Sequence, residues 1–112
     1  MFPSAQPWRI IAARGSMKRE KLSDEAVETF LQSHPEWERS AEAITKRFTF
    51  DDYPAAMAFA VRVGFAAEKK NHHPDLQISW GKVVVAWSTH DAGGITALDI
   101  VMADLTDRLH GG

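Results

Sequence analysis

Three of the five histidines in this 112-residue chain fall in two short stretches. His72 and His73 are adjacent in Glu68-Lys69-Lys70-Asn71-His72-His73-Pro74-Asp75, and His90 lies in Ser88-Thr89-His90-Asp91-Ala92-Gly93-Gly94. An imidazole titrates at about 6.5, so it can give or take a proton near neutrality. Histidines at two chain corners flanking one strand pair offer general acid–base chemistry, in which one group delivers a proton to a substrate while another withdraws one. A three-histidine metal site is the competing reading. Adjacent residues of extended chain point to opposite sides, and no H-E-x-x-H or other dense ligand spacing is present, so no metal is expected. Ser88, His90 and Asp91 could form a nucleophile set, but no G-x-S-x-G elbow accompanies them, and the segment reads as a polar strand end.

These corners must be positioned by regular elements. Ser23 followed by Asp24 and Glu25 reads as an N-cap with acids in the first turn. Val27, Phe30 and Leu31 then make a helical stripe that Pro35 stops, giving a helix over 24–33. Trp37–Ser40 reads as a short strand and Ala43–Phe50 as a longer one, with Ile44, Phe48 and Phe50 on one parity and Lys46 the misfit on that side. Asp51 and Asp52 cap a second helix with Pro54 in its first turn. Its predicted packing face is Tyr53, Met57, Ala60, Gly64 and Ala67, joined by Ala56 and Val63, and it ends near Asn71 because Pro74 disfavours helix at His73. Leu76, Ile78 and Trp80 alternate with polar residues as a third strand, and Gly81-Lys82 turns the chain. Lys82–Thr89 is a fourth strand, apolar on both parities, hence central or covered by another subunit. After the loop Asp91–Gly94, Thr96-Ala97-Leu98-Asp99 reads as a capping box. Leu98, Val101, Met102, Leu105 and Leu109 continue as the last helix.

The order helix, two strands, helix, two strands, helix argues α+β, with an antiparallel sheet and helices packed on one face. His34 and His110 lie near helix ends, where dipole interaction or solvation explains them. Trp37 and Trp87 have core character. Asp99 is accounted for as a capping acid and Glu68 as a surface residue of the second helix.

Bulk properties narrow the function. The formal charge is −2, from 13 basic and 15 acidic residues, which leaves no strong field for nucleic acid. The absence of cysteine removes disulfides, thiolate catalysis and cysteine-ligated metal, and fits a cytoplasmic protein. No apolar run approaches the roughly 20 residues of a membrane span. Gly15-Ser16-Met17 looks like a cloning junction or an alternative start. The expectation is an N-terminal extension or cloning-derived segment over 1–16, and one domain over 17–112.

Ala67 through Asp75, then Trp80, then Ser88 through Thr96, then Asp99, closely resemble the signature of the pterin-4a-carbinolamine dehydratases (4a-hydroxytetrahydrobiopterin dehydratases). Trp37 and Phe48-Thr49-Phe50-Asp51-Asp52-Tyr53 upstream resemble it too, so the likeness covers about residues 20–110. It implies a four-stranded antiparallel sheet with helices on one face. It further implies a hydro-lyase that dehydrates 4a-hydroxytetrahydropterin, the by-product of aromatic amino acid hydroxylases, to quinonoid dihydropterin. In that picture the pterin is the substrate and no cofactor is needed. His72, His73 and His90 match the active-site histidines, while Glu68, Asp99 and Trp37 match supporting positions around the pterin. A homodimer built by sheet extension, or a homotetramer, is implied, with a hydroxylase as pathway partner. The alternative is a non-catalytic dimerisation or assembly factor, a role known among relatives that have lost catalytic histidines. Trp80 departs from the family in standing where tyrosine is common, and the hairpin after Trp37 is short, as in bacterial members.

Overall fold

The computed structural model describes residues 20–111, so the expected extension over 1–16 lies outside the described residues. The elements are α1 (Asp24–Ser33), β1 (Glu38–Ser40), β2 (Ala43–Thr49), α2 (Tyr53–Lys70), β3 (Asp75–Ser79), β4 (Lys82–Trp87), a 3₁₀ turn (His90–Ala92) and α3 (Ala97–Gly111). The strands form one four-stranded sheet in the order β1-β2-β4-β3, with every pairing antiparallel. This is the expected α-β-β-α-β-β-α arrangement. The short 3₁₀ turn sits inside what the sequence presents as an irregular glycine loop, and β4 stops at Trp87 rather than Thr89.

The local rules explain most boundaries. The Ser23 hydroxyl accepts the Ala26 amide at 3.1 Å and opens α1. The Asp52 carboxylate accepts the Ala55 amide at 2.9 Å and opens α2, with Pro54 in the first turn. Helix α2 closes in a Schellman arrangement: Asn71 adopts the left-handed conformation at φ 50°, its amide donates to Glu68 O, and the His72 amide donates to Ala67 O at 3.1 Å. Asparagine tolerates that conformation better than most residues, and Pro74 then keeps the chain extended.

The sheet has one apolar face. Ile44, Phe48, Val83, Val85 and Trp87 are buried on it, against Val27 and Phe30 of α1, Phe59 and Val63 of α2, and Leu98, Ile100 and Met102 of α3. Each such side chain contributes roughly 1.5–3 kcal/mol by leaving water. The doubly apolar β4 is explained by its central place. Val84 stands between Arg47 and Gln77, and Ala86 between Thr45 and Asp75, so the outer face is half-covered by neighbouring side chains.

Two expectations need correction. The buried stripe of α2 is Ala56, Phe59, Ala60, Val63 and Ala67; Tyr53, Met57 and Gly64 lie on the exposed side. The predicted face merged two adjacent stripes because small residues occur on both. His34 is also packed rather than merely solvated, whereas His110 is exposed, as expected, with its ring against aromatic neighbours. His34 stacks on Phe30 with centroids 4.2 Å apart, and the His110 ring contacts those of Phe48, Phe50 and Phe59 at 5.0–5.6 Å.

Lys46, the misfit on the apolar side of β2, finds partners beyond the core. Its ammonium donates to Asp107 Oδ1 at 2.7 Å and lies 3.0 Å from Glu36 Oε1. Burial opposes its charge, but the hydrogen bonds and attraction of those two carboxylates outweigh that, and its pKa lies above the ordinary lysine value. No helix among the described residues is long and apolar enough to cross a membrane.

Candidate active site

The Schellman end of α2 and the end of β4 meet at one cleft of about 240 Å³, lined by Asn71, His72, His73, Ser88, Thr89, His90 and Asp91. All three predicted histidines therefore converge. Their environments differ sharply. His72 turns inward and is only 5% exposed. Its Nε2 lies 2.5 Å from Asp99 Oδ1, and its ring stacks on Trp87 at 5.7 Å and 19°. His73 turns outward, and its Nε2 lies 2.8 Å from Glu68 Oε1, with both side chains largely in solvent. The opposite orientations follow from the extended chain that Pro74 enforces. His90 begins the 3₁₀ turn and is exposed.

Asp99 is fully buried and serves two ends at once. Its Oδ2 accepts the Thr96 amide at 2.9 Å, which is the reciprocal arm of a capping box at the start of α3. Its Oδ1 meets His72. The expected capping contact is therefore present, and the same carboxylate also touches His72.

The loop carrying His90 is pinned along its length. The Thr89 amide donates to Gly94 O at 2.9 Å, and the Gly94 amide returns to Thr89 O at 3.3 Å. Gly93 holds φ 73°, where a glycine is needed. On the far side Leu22 donates to Ile95 O at 2.8 Å, and the Lys21 side chain lies over Gly94, where an added Cβ would approach it to 3.1 Å.

Trp37 is not brought to this cleft. It is buried in the core against Phe30 and Phe48, and its indole N–H donates to Asp107 Oδ2 at 3.0 Å, beside Lys46 and Glu36. A larger groove of about 960 Å³ passes Phe65, Glu68, Leu105 and Leu109, and Glu68 is also the partner of His73. Among the described residues no group of three or more histidine, cysteine, aspartate or glutamate side chains is arranged to hold a metal ion.

Sequence reasoning missed two features. Thr89 and Thr96 both aim hydroxyls at Asp99, and Trp87 backs the His72 ring. Thr89 shares the inward parity of Val83, Val85 and Trp87 in the strand, which is the signal that marks it as buried.

The described residues thus form an α+β domain in which a buried histidine–aspartate pair and two further histidines line one cleft. The sequence pattern of the family described as pterin 4 alpha carbinolamine dehydratase matches residues 20–109, and the chain belongs to that family. A relative from Nocardia farcinica, named "Putative pterin-4-alpha-carbinolamine dehydratase", is 45% identical over 93 residues, covering 83% of this chain and 98% of the relative. The crystal structure of a transcriptional coactivator/pterin dehydratase from Brucella melitensis superposes with a TM-score of 0.78 at 32% identity, covering 82% of this chain and all of the other. A pterin dehydratase-like protein identified as a RuBisCO assembly factor in the alpha-carboxysome shares the fold, with a TM-score of 0.56 at 19% identity, covering 68% and 88%.

Proposed function

We propose that this protein dehydrates a 4a-hydroxytetrahydropterin to the quinonoid dihydropterin and water by histidine acid–base catalysis. The observation that carries the reading is the convergence of His72, His73 and His90 on one cleft. In the reaction the C4a–O bond breaks as an imidazolium gives its proton to the departing hydroxyl, which leaves as water. A neutral imidazole takes the N5 proton, and the N5 electron pair closes the C4a=N5 double bond. His73 and His90 are assigned the proton transfers, because both are accessible and the Glu68 carboxylate, 2.8 Å from His73 Nε2, orients that ring. His72, held by Asp99 below the surface, orients the pterin or shares the acid role. Trp37, 70 residues from its partner Asp107 in sequence, supports the domain rather than the substrate in this reading.

The pterin is the substrate, and no resident metal or redox cofactor is invoked. Purified protein is expected to shorten the lifetime of 4a-hydroxytetrahydropterin equally with and without a chelator. Activity that needs added metal would contradict this scheme. A cytoplasmic location and an aromatic amino acid hydroxylase upstream follow from the same reading.

A homodimer or homotetramer accompanies this function. One surface supports it: Tyr53, Met57, Val61 and Phe65 recur every fourth residue along α2 and are exposed, Phe65 to 74%. A two-fold axis at Val61 would set Met57 against Phe65 of a second copy, and the small Ala58 against its Gly64. The stripe is therefore complementary to itself in shape.

A further inference from the structure

We propose that Thr89 and Thr96 are positioning residues whose coupled hydroxyls fix the Asp99 carboxylate and thereby select which ring nitrogen of His72 carries its proton toward that carboxylate. The terminal torsion of an aspartate is broad and roughly two-fold, so nothing within Asp99 decides which oxygen faces His72. External donors decide it. Thr89 Oγ1 donates to Asp99 Oδ2 at 2.8 Å, the Thr96 amide donates to the same oxygen at 2.9 Å, and Thr96 Oγ1 lies 3.3 Å from it. The two hydroxyls are 2.9 Å apart. With one proton each, a consistent chain runs from the Thr96 hydroxyl to Thr89 Oγ1 and from the Thr89 hydroxyl to Asp99 Oδ2. All three residues are at most 2% exposed, so water does not substitute for these donors. Oδ2 is thereby occupied, and Oδ1 alone is left for His72 Nε2. With Oδ1 as the acceptor in this contact, the hydrogen between the two is the one on His72 Nε2.

Thr89 also joins the two histidine corners. Its side chain acts on His72 through Asp99, while its backbone pairs with Gly94 and closes the loop that carries His90. Thr89→Val removes the first link and keeps the second, since valine preserves the β-branched shape and the amide.

The test is the ring-nitrogen NMR signature of His72, which reports its tautomer without reference to turnover. In the wild-type protein it should be the Nε2–H form. Thr89→Val should mix the two tautomers, and Thr89→Ser should restore one. Thr96→Val should perturb the signal less, because its amide donor remains, and it serves as the second variant if Thr89→Val does not fold. The consequence for rate rests on the dehydratase reading. There Thr89→Val should lower kcat roughly 10- to 100-fold with KM little changed, and serine should recover most of the loss. If the wild-type protein has no dehydratase activity, the functional reading falls while the NMR comparison still decides the positioning claim. A folded Thr89→Val protein in which His72 keeps the wild-type tautomer would overturn it, and so, where Thr89→Val does not fold, would a Thr96→Val protein whose His72 ring-nitrogen signals do not move at all.

Discussion

At the residue scale the account turns on Asp99. Its carboxylate receives the Thr96 amide, the Thr89 hydroxyl and His72, all of them buried. Asp99→Ala therefore leaves several buried donors without an acceptor, and each such orphan is costly. We expect a loss of stability on the order of 3 kcal/mol or more, read as a lower denaturant midpoint with unchanged slope. Asp99→Asn keeps the volume but presents an amide to partners that need acceptors, so it should also destabilise, though less. His73→Ala behaves differently. His73 and Glu68 are both largely in solvent, so its removal should leave the denaturation midpoint within about 0.5 kcal/mol of the parent. The contrast separates a histidine built into the fold from one presented by it. That His72 and His73 would point to opposite sides was readable from the extended chain before Pro74. That Asp99 lies beneath His72 was not derivable from spacing, because 27 residues separate them and only the closing of β4 onto α3 brings them together.

At the element scale the end of α2 controls the placement of both adjacent histidines. Asn71 sits at φ 50°, a conformation that costs a β-branched residue about 1–2 kcal/mol. Asn71→Gly should be near neutral in thermal unfolding, whereas Asn71→Val should lower stability by about that amount. The misfit Lys46 binds β2 to α3 through Asp107 and to the chain before β1 through Glu36. Its folded pKa is raised above the ordinary 10.5, so its contribution is fully present below that value and disappears only as the pH climbs through the higher folded one. Lys46→Met should cost on the order of 1–3 kcal/mol at neutral pH, and the difference between parent and variant should shrink in strongly alkaline buffer. Unequal stabilities persisting there would show that the lysine acts by packing alone. Caps, strand parities and chain order were all readable from the sequence, since they are encoded by residues near one another. The packing face of α2 was not. Its abundant alanines fit two stripes equally well, and only the position of Phe59 over the sheet distinguishes them.

At the scale of the whole molecule two surfaces divide the work. The cleft at one end of the sheet is lined by the histidines, while the outer face of α2 presents an exposed apolar stripe of Tyr53, Met57, Val61 and Phe65. If that stripe pairs with a second copy, Val61→Glu places two acids face to face on the two-fold axis. It should convert the assembly to a smaller species by light scattering at matched concentration, with the fold retained. An unchanged mass would place the contact elsewhere, for instance along the outer strands β1 and β3. The central claim is nonetheless the chemistry, and one measurement addresses it directly. The disappearance of enzymatically generated 4a-hydroxytetrahydropterin should be followed alone, with the wild-type protein, and with His73→Ala. The account predicts acceleration by the wild type and a loss of roughly 10²–10⁴-fold of that acceleration in His73→Ala. No acceleration by either protein, or equal acceleration by both, would contradict it.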